Sequence, residues 1–320
     1  MTSSAESATP ARASQRRVPD FFIVGHHKCG TTALYEMLRR HPQIYMPELK
    51  EPRFFASDLR ALLGAAPGGL PQTYEEYLAL FDPAEPQQRV GEASPSYLRS
   101  RVAAGAIAEV APAARSIAIL REPASFVRSL HLQLMQGHAE TERDFAKAIA
   151  NEQITRAGQR VLRYSDHVRY VEQLRRFHAV FPREQVLVLI YDDFRADNEG
   201  TVRRAFRFLG VDDAVPIEAI DANPTVSVRS LRLDEALRAM YGGGGPVARG
   251  LRSTARALTP TRARRGAMRV LRRRVVYGKP RSPDEGVILQ LRRRYKPEVV
   301  ALSEYLDRDL VTLWGYDRVD

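Results

Sequence analysis

An apolar run that ends in a glycine-bounded loop constrains this chain more than any other feature. Residues 21–24 are apolar, and the loop at residues 25–32 has the sequence G-H-H-K-C-G-T-T. Apolar residues at helical spacing begin directly after the loop and stop before Pro42. This order is typical of a strand, a turn and a helix. It predicts that the loop binds a nucleotide phosphate at the N-terminus of the helix.

The position of the lysine in this loop separates two kinds of phosphate site. In nucleoside-triphosphate loops, Lys directly follows the second glycine and holds the β- and γ-phosphates. Here Gly25 and Gly30 keep the usual separation, but Thr31 takes that position and the lysine lies inside the loop as Lys28. The loop therefore departs from the triphosphate pattern. A glycine-rich turn that serves packing alone is the alternative at this point.

Composition limits the class of protein. A chain of 320 residues allows one large domain or two smaller ones, and we expect one. The single cysteine, Cys29, excludes an internal disulfide, and no apolar run approaches the roughly 20 residues that cross a bilayer. We expect a cytoplasmic protein with residues 1–17 as a disordered tail and residues 18–320 as one domain. A transit peptide is the alternative for the Arg- and Ser-rich tail.

Positive charge is concentrated in one segment. The formal net charge is +11, and residues 236–283 contain many arginines but no Asp or Glu. We interpret this segment as a basic insertion. It would suit an acidic acceptor, an anionic membrane surface or nucleic acid, or form a solvated face without a partner. We do not expect nucleic acid, whereas peripheral contact with an anionic membrane stays open. Arginine far outnumbers lysine, which indicates a GC-rich bacterial source.

Short apolar runs alternate with amphipathic stretches along the chain. Runs at residues 89–91, 117–120 and 186–191 suit strands that are covered on both faces. The alternation predicts an α/β fold with a central, mainly parallel sheet flanked by helices and a ligand site at the carboxyl ends of the strands. Apolar spacing near the C-terminus predicts one long helix that ends at about Leu313, preceded by a capping box at residues 282–285.

A second group of candidate residues follows the run at residues 117–120. Arg121 comes directly after this run, and Ser129 lies two turns into the next predicted helix. A guanidinium can donate two parallel hydrogen bonds to a phosphate, and a hydroxyl can add a third. We expect Arg121 to emerge at the same sheet edge as the loop. An ion pair of Arg121 with Glu122 or Glu92 is the alternative.

Four motifs occur in a fixed order: G-H-H-K-C-G-T-T at 25–32, K-E-P-R-F-F at 50–55, G-E-A-S-P-S-Y at 91–97 and L-R-E-P-x5-S at 120–129. With them the chain resembles sulfotransferases that use 3′-phosphoadenosine 5′-phosphosulfate (PAPS), in particular bacterial members similar to heparan-sulfate-type O-sulfotransferases. The resemblance implies a P-loop-like three-layer fold. It also implies sulfuryl transfer from PAPS, without a metal, to a hydroxyl of a carbohydrate, lipid or natural-product acceptor.

The resemblance further implies roles for individual residues. Those assigned to PAPS are Lys28, Cys29, Gly30, Thr31 and Thr32 for the 5′-phosphosulfate, and Arg121 and Ser129 for the 3′-phosphate. Glu51 corresponds to the catalytic base, because an attacking hydroxyl must lose its proton and a carboxylate can accept it. Lys28 would stabilise charge on the bridging oxygen. For Glu51, a surface charge beside Lys50 or Arg53 is the alternative.

One position departs from the resemblance. Heparan-type relatives often carry Lys where this chain has Ala93. A cation that would stabilise the transition state is therefore missing from that position. Arg53, Arg99 or a residue of the basic insertion would have to replace it, and the sequence does not select among them.

Other functions and other bases stay open at this stage. Residues 186–190 followed by Asp192 and Asp193 imitate the strand and acid that hold Mg²⁺ in a P-loop kinase, although no Lys follows Gly30. A non-catalytic binder of nucleic acid or membranes would use the arginine-rich segment. His26 and His27 lie in the loop, where a ring could approach the sulfuryl group. Because adjacent loop residues point in different directions, we expect at most one of them to face the site.

Overall fold

A parallel sheet of five strands lies at the centre of the fold. In the computed structural model the order is β2 (Ile44–Tyr45), β3 (Arg89–Ala93), β1 (Phe21–Gly25), β4 (Arg115–Leu120) and β7 (Val186–Ile190). All neighbouring pairs in this sheet are parallel. Every residue of β1 is buried, as expected of a central strand with both faces covered. The predicted α/β architecture is confirmed.

The register of the strands aligns their carboxyl ends. In β1, Ile23 is paired with Ala93 of β3 on one side and with Ile117 of β4 on the other. The chain that follows these three strands therefore emerges at one edge of the sheet. The loop at 25–32, the segment after Ala93 and Arg121 all lie at that edge, as the sequence predicts for Arg121.

Helices of varied length surround the sheet. Their bounds are α1 Thr31–Arg39, α2 Ser57–Leu63, α3 Tyr74–Leu78, α4 Ala103–Val110, α5 Pro123–Gln136, α6 Phe145–Asn151, α7 Tyr170–His178, α8 Tyr191–Ala196, α9 Asn198–Leu209, α10 Glu285–Leu306 and α11 Leu310–Leu313. Two short antiparallel pairs add β5 (Gln153–Arg156) with β6 (Gln159–Arg163), and β8 (Ser227–Val228) with β9 (Tyr277–Gly278). Helix α9 buries its apolar stripe and ends at Gly210, which adopts φ 70°.

The C-terminal region differs from its prediction in two ways. The predicted single helix is divided, because Asp307 adopts the left-handed conformation (φ 50°) and ends α10 before α11 begins. Residues 282 and 283 of the predicted capping box lie outside the described residues, and the helix begins at Glu285, later than the box predicts. The cap is Asp284, whose carboxylate accepts a hydrogen bond from the backbone N–H of Val287 at 3.2 Å. Trp314 and Tyr316, which follow α11, are both buried and pack this region against the core.

The structure describes residues 16–63, 69–137, 139–156, 159–218, 227–228, 277–278 and 284–320. Almost all of the predicted basic insertion and residues 1–15 of the predicted tail lie outside these ranges. At the end of that tail, Arg17 donates hydrogen bonds to the backbone carbonyls of Glu85 (2.8 Å) and Gln88 (2.7 Å). Within the described ranges, no helix has the length and apolar character that a membrane span requires.

Candidate active site

The loop after β1 leaves the N-terminus of α1 open to an anion. Gly30 is the N-cap of this helix and adopts φ 85°, and a Cβ added there would lie 2.8 Å from the ring of Phe194. Glycine is therefore required at this position. Because Gly30 has no side chain that could cap the helix, the first backbone N–H groups, including those of Thr31 and Thr32, have no side-chain cap. The predicted strand, loop and helix are confirmed.

Two cations converge on this open helix end. Arg121 Nη1 donates a hydrogen bond to the backbone carbonyl of Lys28 at 3.1 Å, and its guanidinium lies 4.7 Å from the centre of the Tyr191 ring. Burial, together with the charge of Arg121, lowers the pKa of Lys28. Among the residues that the structure describes, no carboxylate forms an ion pair with either cation. Two like charges held together in this way suit a bound polyanion, which would relieve their repulsion.

Two other residues predicted to bind PAPS have buried side chains. The thiol of Cys29 donates to the backbone carbonyl of His27 at 3.4 Å, and burial raises the pKa of this thiol to about 12. Ser129 lies in the second turn of α5 and is 3% exposed. The structure thus brings Lys28 and Arg121 together at the loop, whereas the side chains of Cys29 and Ser129 lie within the packed interior.

The motif at residues 50–55 packs against the end of β3. The backbone N–H of Glu51 donates to the carbonyl of Ala93 at 3.0 Å, and that of Arg53 donates to Ser94 Oγ at 3.0 Å. Glu51 and Arg53 adopt φ angles of 62° and 55°, and Lys28 in the loop adopts 62°. Left-handed backbone at residues other than glycine costs about 1–3 kcal/mol and tends to occur at functional sites. Two separate motifs therefore carry strained backbone in the same region.

Glu51 is surrounded by cations. Its carboxylate accepts from Lys50 Nζ at 2.9 Å and from Arg53 Nη2 at 2.7 Å, and His27 Nδ1 lies 4.0 Å away. Burial alone would raise the pKa of Glu51, but these neighbours outweigh it and hold the pKa well below its usual range. Burial also lowers the pKa of His27 to about 4, so at neutral pH the positive charge around Glu51 comes from Lys50 and Arg53.

A second carboxyl group lies behind Glu51 in a different environment. Glu92 is fully buried and accepts hydrogen bonds from the hydroxyls of Tyr97 (2.6 Å) and Tyr77 (3.3 Å). Burial raises the pKa of Glu92 to about 7. Among the described residues, Glu92 does not form the ion pair with Arg121 that the sequence left open. The sequence contains a sign of the contact with Tyr97, because this tyrosine lies five residues after Glu92 in the same motif.

The two histidines of the loop point in different directions, as expected of adjacent residues. His27 lies near Glu51, whereas His26 Nε2 donates to Gln173 Oε1 at 2.5 Å in the interior. The orientation of this amide is set by its nitrogen, which donates to the backbone carbonyls of Asp166 and His167. Burial lowers the pKa of His26 to about 3. One histidine, His27, therefore remains next to the site.

The acids that suggested a kinase have other partners. Asp192 accepts a hydrogen bond from Trp314 Nε1 at 3.0 Å, and Asp193 binds Arg308 through two hydrogen bonds of 2.5 and 2.7 Å. Both contacts hold the C-terminal segment against α8. Over the described ranges, no group of three or more His, Cys, Asp or Glu side chains is placed to hold a metal ion. The acids after β7 thus have a structural explanation.

Residues 70–214 match the model of the Sulfotransferase family. The resemblance to sulfotransferases is confirmed. The sulfotransferase of Alicyclobacillus acidocaldarius has a similar structure, with a TM-score of 0.66 and 23% identity, over 93% of this chain and 99% of that one. At this identity the similarity shows a shared fold. The sulfotransferase match begins after Lys28 and Glu51, so the roles of these two residues depend on the geometry above.

Two human proteins are similar in sequence. Carbohydrate sulfotransferase 15 is 26% identical over 255 residues, which cover 61% of this chain and 44% of that protein. Heparan sulfate glucosamine 3-O-sulfotransferase 6 is 33% identical over 125 residues, which cover 38% of this chain and 32% of that protein. This sulfotransferase-like chain therefore spans less than half the length of either relative.

Proposed function

We propose that this chain is a PAPS-dependent O-sulfotransferase. It would transfer a sulfuryl group to an acceptor hydroxyl and yield a sulfate ester and 3′-phosphoadenosine 5′-phosphate (PAP). The observation that carries the proposal is the pair Lys28 and Arg121, which has no carboxylate partner among the described residues and lies at the open end of α1. His27, next to Lys28 in the loop, links this pair to Glu51. A polyanionic donor and a hydroxyl acceptor would meet at this place.

The site divides into two halves by chemistry. We define the donor half as Lys28, Thr31, Thr32 and Arg121, and the acceptor half as Lys50, Glu51 and Arg53. In the donor half, the backbone N–H groups of α1 and Lys28 would bind the 5′-phosphosulfate, and Arg121 with Ser129 the 3′-phosphate. The buried hydroxyl of Ser129 would have to become accessible for this contact.

The acceptor half would remove the proton of the attacking hydroxyl. A bond forms between the acceptor oxygen and sulfur while the bond between sulfur and the bridging phosphate oxygen breaks. Glu51 would take the proton that the hydroxyl loses, and Lys28 would stabilise the negative charge that the leaving phosphate gains. Lys50 and Arg53 keep Glu51 ionised, so its carboxylate carries no proton at physiological pH and can receive one, but the same ion pairs make it a weaker base.

The acceptor is a hydroxyl-bearing molecule, for which a carbohydrate has the most support. Both human relatives are named as sulfotransferases of carbohydrates. Lipid and natural-product hydroxyls have the same reactive group, so an acceptor panel should include all three classes. The panel, tested with labelled PAPS, would identify the sulfated product directly.

Calorimetry with PAP tests the donor assignment without knowledge of the acceptor. We expect PAP to bind with the same affinity in the presence and absence of Mg²⁺. Preferential binding of Mg–ATP would instead support a kinase. Binding only to DNA or anionic vesicles, with a steep loss at higher salt, would support a basic surface binder. If neither PAP nor PAPS binds at millimolar concentration, the proposal is wrong.

A further inference from the structure

Arg99 is a buried cation beside the candidate site. It follows β3 by six residues and is 8% exposed. Over the described ranges, its guanidinium forms no hydrogen bond or ion pair. The two nearby carboxylates have other partners, since Asp58 accepts from Ser100 and Arg101, and Asp166 is paired with Arg169. Burial lowers the pKa of Arg99 to about 10, so it remains charged at neutral pH.

Two other partly buried arginines nearby, Arg53 and Arg176, are paired. Arg53 binds the carboxylate of Glu51 at 2.7 Å, and Arg176 binds Glu172 at 2.8 Å and also donates to the backbone carbonyl of Arg99 at 3.2 Å. Burial of a charge without a partner costs several kcal/mol. A buried guanidinium that has no carboxylate partner is typical of a site that binds an anion from solution.

The surroundings of Arg99 show where this anion would lie. Its charge acts on His26 and His27 of the loop and on Arg53 of the acceptor half. The backbone N–H of Leu98 donates to the carbonyl of Val24 at 2.7 Å, so Arg99 lies next to the loop that would hold the phosphosulfate. The group of PAPS that must meet the acceptor hydroxyl is the sulfuryl group.

We propose that Arg99 binds the sulfuryl oxygens of PAPS, the part of the donor that PAP lacks. This inference rests on the proposed sulfotransferase function. A planar guanidinium can donate two parallel hydrogen bonds to two oxygens of one sulfuryl group. The backbone contact between Glu51 and Ala93 places position 93 beside the carboxylate of the acceptor half. Arg99 would therefore supply the positive charge that a lysine at position 93 provides in heparan-type relatives.

The affinities of PAPS and PAP, measured by calorimetry in the full chain without an acceptor, test this role. Because one charged hydrogen-bonding group is lost, we expect R99Q to weaken PAPS binding about tenfold or more while PAP affinity stays within about twofold of the wild type. R99K, which keeps the charge, should recover part of the loss. R169Q is the control, because Arg169 lies on the surface in ion pairs with Asp166 and Glu172.

The outcomes separate this inference from the proposed function. An equal loss of PAPS and PAP affinity in R99Q, or no loss of either, would overturn the role of Arg99. If the wild type binds neither ligand, the proposed function itself fails. Stability gives a second readout: replacement of an unpaired buried charge in R99M should leave the free energy of unfolding unchanged or higher. A clear decrease would show that Arg99 is part of the packing instead.

Discussion

The donor half and the acceptor half of the site differ in whether their charged side chains are paired. In the described residues, Lys28 and Arg121 are brought together without a carboxylate, so the donor half has a positive charge that only a ligand could neutralise. In the acceptor half, Glu51 is already bound by Lys50 and Arg53. The first arrangement favours binding of an anion, whereas the second fixes a carboxylate in one position and one ionisation state. Substitutions in the two halves should therefore have different effects.

The largest effect is expected in the acceptor half. Because a general base contributes about 100-fold or more to a rate, E51Q should reduce turnover by at least this factor while PAP affinity stays unchanged. The measurement is the initial rate of PAP release with an acceptor from the panel, together with calorimetry. Glu48, three residues away and exposed, provides the control variant E48Q. Turnover of E51Q near that of the wild type would reject Glu51 as the base.

The buried carboxyl group of Glu92, behind the acceptor half, should make the stability of the protein depend on pH. Burial raises the pKa of Glu92 to about 7 from a usual value of 4.5, so the folded protein binds a proton that the unfolded chain releases between these pH values. Stability from this group is therefore lost as pH rises. Relative to the wild type, E92Q should gain up to about 3 kcal/mol between pH 4.5 and 7.5, since each unit of pKa shift corresponds to about 1.4 kcal/mol.

Urea unfolding of both proteins across this pH range measures that difference. The buried His26 and the partly buried His27 contribute in the opposite direction, because burial lowers their pKa and stability from them rises with pH. They are present in both proteins, so their contribution cancels in the comparison. Parallel curves for wild type and E92Q would show that Glu92 is ionised in the folded protein.

The sequence predicted the parts of the site that depend on elements following one another in the chain. A strand, a glycine loop and a helix follow one another in the chain, so Lys28 and the open end of α1 could be placed before the structure was known. Arg121 could be placed at the same edge because parallel strands share their carboxyl ends. The choice of Arg99 over Arg53 could not be made, because it depends on which carboxylates are already bound. The carboxylates near Arg99, those of Asp58 and Asp166, come from distant segments.

The same reason explains the parts that were wrong or ambiguous. The break at Asp307 is stabilised by Ser303, whose hydroxyl accepts from the backbone N–H of Leu310 at 3.0 Å, and apolar spacing contains no information about such a turn. Asp192 and Asp193 resembled metal ligands in sequence because their partners, Trp314 and Arg308, lie more than a hundred residues away.

The donor half should respond in ligand affinity and not in stability. K28M should weaken PAP binding about tenfold to a hundredfold, because a hydrogen bond to a charged group is worth about 1.5–3 kcal/mol. Stability should not fall, because removal of Lys28 relieves its repulsion with Arg121. Calorimetry and thermal unfolding give the two values, and K147M, on the exposed face of α6, is the matched control. Unchanged PAP affinity in K28M would remove Lys28 from the donor half.

The smallest effect is expected outside both halves, at Asp193. Its ion pair with Arg308 is about a third exposed on each side, and such pairs contribute less than about 1 kcal/mol. D193N should therefore lower the free energy of unfolding slightly in urea and leave PAP affinity unchanged with and without Mg²⁺. If D193N instead abolished a Mg²⁺-dependent binding of nucleotide, Asp193 would be a metal ligand. A bound Mg²⁺ would then add positive charge to the site, and the difference in charge between the two halves could no longer be attributed to their side chains alone.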